Sequence, residues 1–238
     1  MFIHYPFTQT VGTETLAATI TRPAATPESP PTILIIHGAG PSSQHRYTML
    51  AEHLTAQGGH TSLRFDHSGH GQSSGELINS SLIKRLNEAR SFLPLLHPTA
   101  PLTVMGASMG GHIAAQLLPH GNFQTLITQV PAAYTQAAEN TTFGETFSSL
   151  IRTPGSWEDA AIWPKLEAFT GTFLLISAEN DPIIPQPVLR SYWHHARNSS
   201  RRSHLFLPQA EHSLSGWLDK NPQILPSYFQ AICSTFPQ

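Results

Sequence analysis

A serine with glycines two positions to either side, set where an apolar strand passes into a helix, can be turned out of a sharp bend and used as a nucleophile. Gly106-Ala107-Ser108-Met109-Gly110 meets those conditions. It follows the strand-length run Leu102 to Met105 and precedes Ile113, Ala114, Leu117 and Leu118, which recur at helical spacing up to Pro119. The glycines matter because so tight a turn leaves no room for side chains on either side of the serine. A second match, Gly71-Gln72-Ser73-Ser74-Gly75, follows the loop Asp66-His67-Ser68-Gly69-His70, and no apolar-periodic helix begins at Gly75. Context therefore selects Ser108 and makes Ser73 a turn residue.

A serine hydroxyl needs a base to take its proton, and the base needs a carboxylate to orient it. Of 14 histidines, His212 lies in Pro208-Gln209-Ala210-Glu211-His212-Ser213, just past the last apolar run. His204 falls inside that run, and His194 and His195 follow Tyr192 and Trp193 on a helical stretch, where packing or solvation explains them. The acid must also sit at a strand end. Asp181, in Glu179-Asn180-Asp181-Pro182 after Phe173 to Ile176, is the candidate, with Glu179 as its rival. Ser, Asp, His is also the chain order expected of such a strand-turn-helix nucleophile. Charge on a tetrahedral intermediate calls for two backbone N–H donors. Met109, next to the nucleophile, supplies one; His37-Gly38-Ala39-Gly40, after Ile33 to Ile36, offers the other at Ala39.

These residues need a scaffold of strands ending on one edge. Phe2 to Phe7 and Leu16 to Thr21 read as an antiparallel hairpin, followed by a proline-rich stretch from Pro23 to Pro31. Thr32 to Ile36, Leu63 to Phe65, Leu102 to Met105, Leu126 to Val130, Phe173 to Ile176 and His204 to Leu207 read as strands buried on both faces. Helical periodicity separates them: Tyr47, Leu50, Ala51 and Leu54 before Gly58-Gly59, then Leu82, Leu86, Ala89 and Leu93 before Pro94. Strand and helix in alternation give an α/β class, a mostly parallel sheet of about eight strands flanked by helices.

The whole chain of 238 residues fits one domain of that class. Thirteen basic and 15 acidic residues leave a formal charge of −2, and 12% charged residues is about half the usual share. Neither nucleic acid nor an anionic membrane is an expected partner. No apolar run approaches the roughly 20 residues of a membrane span. The lone Cys233 cannot form an internal disulfide, and Met1 is followed by no signal-peptide pattern, so the expected setting is reducing and cytoplasmic. Despite the histidines, no His-Glu-x-x-His or paired Cys-x-x-Cys occurs, and neither metal nor cofactor is expected. Nothing in the sequence sets the oligomeric state.

His37-Gly38-Ala39-Gly40, Arg64-Phe65-Asp66 with Gly69-His70-Gly71-Gln72-Ser73, Gly106 to Gly111, Asp181-Pro182 and Glu211-His212 follow one another in the order of the α/β-hydrolase superfamily, which the chain resembles from Thr32 to Ser215. Within it, the chain resembles small serine esterases of the cinnamoyl-esterase and serine-aminopeptidase-like group. The resemblance implies an eight-stranded sheet, hydrolysis through an acyl-enzyme, and structural roles for Arg64 and Asp66. It also implies a cap, here short, over about 131–169. In that stretch Thr142-x-x-Glu145 fits a capping box ahead of Phe143, Phe147, Leu150 and Ile151, and Trp157, Ile162 and Trp163 fit a helical turn ending at Pro164. Phe143, Phe147, Trp157 and Trp163 either line a substrate pocket or pack the cap onto the body. A small cap and low charge fit a small, largely uncharged ester as substrate. Thioesterase or acyltransferase activity would use the same three side chains. A C–C bond hydrolase would add a polar pocket, and a non-catalytic member of the fold would have lost a catalytic residue.

Overall fold

The computed structural model describes residues 1–236. Its eight strands are β1 (Phe2–Val11), β2 (Glu14–Pro23), β3 (Ile33–Ile36), β4 (Ser62–Phe65), β5 (Leu102–Ala107), β6 (Phe123–Gln129), β7 (Thr172–Asn180) and β8 (Arg201–Glu211). They form one sheet in the order β1-β2-β4-β3-β5-β6-β7-β8. The β1–β2 hairpin turns at Gly12, whose φ of 62° suits glycine. β2 meets β4 antiparallel, and every later pairing is parallel. The carboxyl ends of β3 to β8 therefore share one edge, where the crevices of open α/β sheets lie.

The helices are α1 (Thr48–Gly58), α2 (Leu82–Ser91), α3 (Met109–Leu117), α4 (Glu145–Arg152), α5 (Trp163–Ala168), α6 (Gln186–His195), α7 (Leu214–Lys220) and α8 (Leu225–Cys233). Alternate residues of the central strands feed two cores. Leu34, Ile36, Val104, Leu126, Phe173 and Leu175 pack with residues of α2 to α6. Ile33, Ile35, Met105, Ile127, Leu174 and Ile176 pack on the other face with α1, α7 and α8. Local chemistry sets the ends of these elements. α1 stops at Gly59, left-handed at φ 65°, whose N–H returns to Leu54 and Thr55 carbonyls. α2 starts on Ser81, whose hydroxyl accepts the Lys84 amide at 3.2 Å.

Three local readings of the sequence give way. β7 and β8 run well past Phe173 to Ile176 and His204 to Leu207, because the last pairing continues to Asn180 and Glu211 through an irregularity after Ala178. Most of the edge strand β8 is exposed, and apolar residues stand together only at Leu205 to Leu207, so no continuous apolar run marks its length. The capping box at Thr142 does not form: α4 begins at Glu145 behind Gly144, without a side-chain cap. The Phe143 amide instead donates to the Ser80 carbonyl at 2.9 Å, which ties residue 143 outside the first turn. Pro164 opens α5 rather than closing a helix before it. Proline lacks an N–H, and the first turn is where a helix does not need one.

Candidate active site

Ser108 stands between β5 and α3 with φ 52° and ψ −120°, a region costly for any residue with a side chain. Its backbone is held on both sides: its N–H donates to the Gln129 carbonyl at 2.9 Å, and its own carbonyl accepts Gly111 at 2.9 Å and Ala132 at 3.0 Å. The flanking glycines are steric necessities. A Cβ on Gly106 would lie 2.0 Å from the Gly110 carbonyl oxygen, and one on Gly110 2.4 Å from that of Ile36.

The Ser108 Oγ lies 3.0 Å from His212 Nε2, and His212 Nδ1 lies 2.8 Å from Asp181 Oδ2. With Nδ1–H donating to the carboxylate, Nε2 is left as acceptor for the serine hydroxyl. The other carboxylate oxygen of Asp181 accepts the Ile183 and Ile184 amides at 2.8 and 3.0 Å, so the side chain cannot rotate freely. Its rival Glu179 is turned elsewhere and accepts the Gln209 amide at 2.8 Å. Ser73 is a brace: its hydroxyl donates to the Asp66 carbonyl at 2.6 Å and accepts the Ala17 amide at 2.9 Å.

Ala39 lines the cavity with Ser108, and Met109 follows the nucleophile directly in the chain. Gly38 packs directly on the nucleophile turn, where an added Cβ would meet the Ala107 oxygen at 3.0 Å and Ser108 Cβ at 3.1 Å. The Ala39 amide donates to no protein acceptor among the described residues. Met109 is the first residue of α3, so its N–H has no helical partner. Behind the 38–40 loop, His37 accepts the His67 amide at Nε2 (3.0 Å), and its Nδ1–H donates to the Gly38 carbonyl at 2.6 Å. Burial holds His37 and His67 well below the usual histidine range, with neighbouring positive charge adding to the effect. His67 Nδ1 meets Glu88 at 2.6 Å, and the Ser68 hydroxyl donates to the same carboxylate. Desolvation raises the Glu88 carboxyl and brings the fully buried Arg85 down to about 10. Asp66 ties the following loop by accepting the Gln44 and Gln72 amides at 2.7 and 3.1 Å. Arg64 instead reaches Thr21 on β2, at 2.6 Å.

A cavity of about 220 Å³ opens beside Ser108 and His212. Tyr47, Met49 and Leu50, then Leu214, Leu218, Leu225, Tyr228 and Phe229 form its apolar wall, with Gln129 and Val130 at the end of β6. No residue of 131–169 lines it. Phe143 and Phe147 stack edge-on at 4.7 Å, and Trp163 packs on Tyr192 and donates through Nε1 to the Trp157 carbonyl at 2.7 Å. The reason is the face of the sheet: these aromatics join the core with α2 to α6, whereas the cavity opens among α1, α7 and α8. The sequence reading missed the wall. Its one signal was Leu225, Tyr228, Phe229 and Ile232 at the spacing of a helix face, after His212.

Residues 27–153 match the family model described as serine aminopeptidase, S33, over more than half of the chain. The chain belongs to this family. The S33 match takes in the 37–40 loop and Ser108 and stops before Asp181 and His212. No curated protein matches the chain in sequence. Among solved structures, a putative hydrolase from Agrobacterium vitis S4 is 20% identical with a TM-score of 0.70, covering 100% of both chains. The thioesterase domain from the curacin biosynthetic pathway is 17% identical with a TM-score of 0.69, over 96% of this chain and 99% of that one. Est1E from Butyrivibrio proteoclasticus, with ferulic acid bound, is 18% identical with a TM-score of 0.67, over 94% of this chain and 98% of that one. At these identities the likeness is one of fold. This S33 member has the α/β-hydrolase architecture, and its family match makes it a hydrolase.

Proposed function

We propose that the protein is a serine hydrolase that cleaves a small, largely uncharged carboxylic ester through an acyl-enzyme. The observation that carries this reading is the unbroken series Ser108 Oγ, His212 Nε2 and Nδ1, Asp181 Oδ2, at 3.0 and 2.8 Å, opening on a mostly apolar cavity. Ser108 attacks the ester carbonyl carbon as its proton passes to His212, and Asp181 stabilises the resulting imidazolium. The amides of Ala39 and Met109 receive the developing oxyanion. Collapse expels the alcohol, which takes the proton from His212; water, activated by the same histidine, then releases the acid and restores Ser108. A cavity of about 220 Å³ lies below the roughly 300–1,000 Å³ of drug-sized ligand sites, which supports a small substrate.

The test is labelling by a fluorophosphonate followed by assay on alkyl, aryl and thio esters. One adduct, on the Ser108 peptide, together with ester turnover is the expected result. An adduct on Ser73, or one that survives Ser108→Ala, overturns the reading.

A further inference from the structure

The cavity beside Ser108 is walled mainly by apolar side chains, yet Tyr47, Gln129 and Tyr228 bring polar atoms into it. Gln129 is 3% exposed, and its amide nitrogen faces the Tyr228 phenol oxygen and has no other partner among the described residues. The Tyr228 phenol oxygen is turned toward the Gln129 amide as an acceptor and lies near the Tyr47 phenol, so both phenol O–H groups are left to donate elsewhere. The buried Tyr192 hydroxyl donates to the Ala132 carbonyl at 2.7 Å; Tyr47 and Tyr228 stand on the cavity wall instead, and no such bond to a protein acceptor ties their hydroxyls among the described residues. Burial raises both phenols, which keeps them protonated and able to donate.

Buried donors left unpaired are costly, and an apolar group filling the cavity would strip them of water as well. A substrate oxygen placed among them removes that penalty. Its charge follows from the wall. Among the described residues Arg46 is the one Lys or Arg lining the cavity, and its guanidinium already donates to the Pro41 carbonyl and to the Ser213 and Ser215 hydroxyls at 2.8 to 3.3 Å. The Asp219 carboxylate shares the same wall and disfavours a second anion.

We propose that the part of the substrate filling this cavity carries a neutral oxygen acceptor, a ketone carbonyl or a hydroxyl, held by Tyr47, Gln129 and Tyr228. The proposal rests on the ester-hydrolase reading and adds what the substrate bears beyond its scissile carbonyl. Sites built to hydrogen-bond a polar substrate group discriminate strongly against analogues lacking it.

The experiment compares kcat/KM for the p-nitrophenyl esters of hexanoate, 4-oxohexanoate and 5-oxohexanoate in the native chain and in Tyr228→Phe. At least one oxo ester should be favoured by about tenfold or more over hexanoate, and Tyr228→Phe should bring that ratio toward one. Equal turnover of all three esters, or a ratio untouched by Tyr228→Phe, overturns the proposal while leaving the hydrolase reading in place. If no ester is cleaved, the hydrolase reading falls, and calorimetric titration of the same proteins with hexanamide and 5-oxohexanamide decides the pocket. Tighter binding of the oxo amide, lost in Tyr228→Phe, supports the proposal; equal binding or none overturns it.

Discussion

At Ser108 the fold holds a strained backbone so that one hydroxyl faces one imidazole, and the strain, of the order of 1–3 kcal/mol, is borne by the surrounding hydrogen bonds. On the proposed mechanism the three side chains act as a unit, so their losses should not add. Ser108→Ala and His212→Ala should each lower kcat by about 10⁴- to 10⁶-fold, with little further loss in the double variant. Near-additive losses in single-turnover assays would show that the two residues work separately. Asp181→Asn should cost about 10³- to 10⁴-fold, since the amide cannot hold the histidine in the same tautomer. Glu179→Gln should stay within about threefold of the native rate, because that carboxylate meets only the Gln209 amide; a crippling effect would move the acid to residue 179. Ser73→Ala should keep full fluorophosphonate labelling yet lower stability by about 1–2 kcal/mol in urea melts, because it breaks two hydrogen bonds of the loop. The meeting of Ser108, Asp181 and His212 was legible because motif and strand end coincide at those positions. Gln129 and Tyr228 belong to no motif; only their placement on the α8 side of the sheet gives them meaning.

Among the elements, the β5–α3 turn has the least tolerance. Gly106→Ala puts a methyl within 2.0 Å of a backbone oxygen that cannot move without shifting α3, so we expect a loss above about 3 kcal/mol or insoluble protein. A soluble Gly106→Ala protein with native unfolding would mean that the turn is looser than its geometry. The central strands were readable because both of their faces are buried, which writes them as apolar runs. The full reach of β8 was not, since most of that edge strand is exposed and it carries Pro208 besides. Local grammar also misled at 142–145 and at Pro164. In both places a tertiary tie or a helix start outweighed a spacing rule that considers only neighbours along the chain.

For the molecule as a whole, the neutral buried histidines behind the 38–40 loop make acid its weakness. Unfolded, His37 and His67 take up protons as pH falls through about 6.5; folded, burial keeps both neutral, so the unfolded chain binds more protons and stability declines. Their contribution is complete above about pH 7.5, and together they should remove about 3 kcal/mol by pH 5.5, a fall in Tm of about 6–12 °C. Glu88, raised by burial, partly offsets the loss at lower pH because the folded chain binds its proton first. A Tm flat between pH 7.5 and 5.5 by calorimetry would show that these histidines ionise freely in the fold. A serine mechanism needs no ion, so activity should survive prolonged EDTA with metal content measured alongside; loss on chelation and return with zinc would replace that mechanism.

The cavity wall has one more consequence, in the order of synthesis. Ser108 and the 37–40 loop leave the ribosome long before His212, and Tyr228 and Phe229 come later still. On the proposed mechanism a nascent chain thus holds a nucleophile without a base, and then a base without a finished binding chamber. If that mechanism holds, the growing polypeptide should stay chemically silent toward esters until α8 has been made and docked.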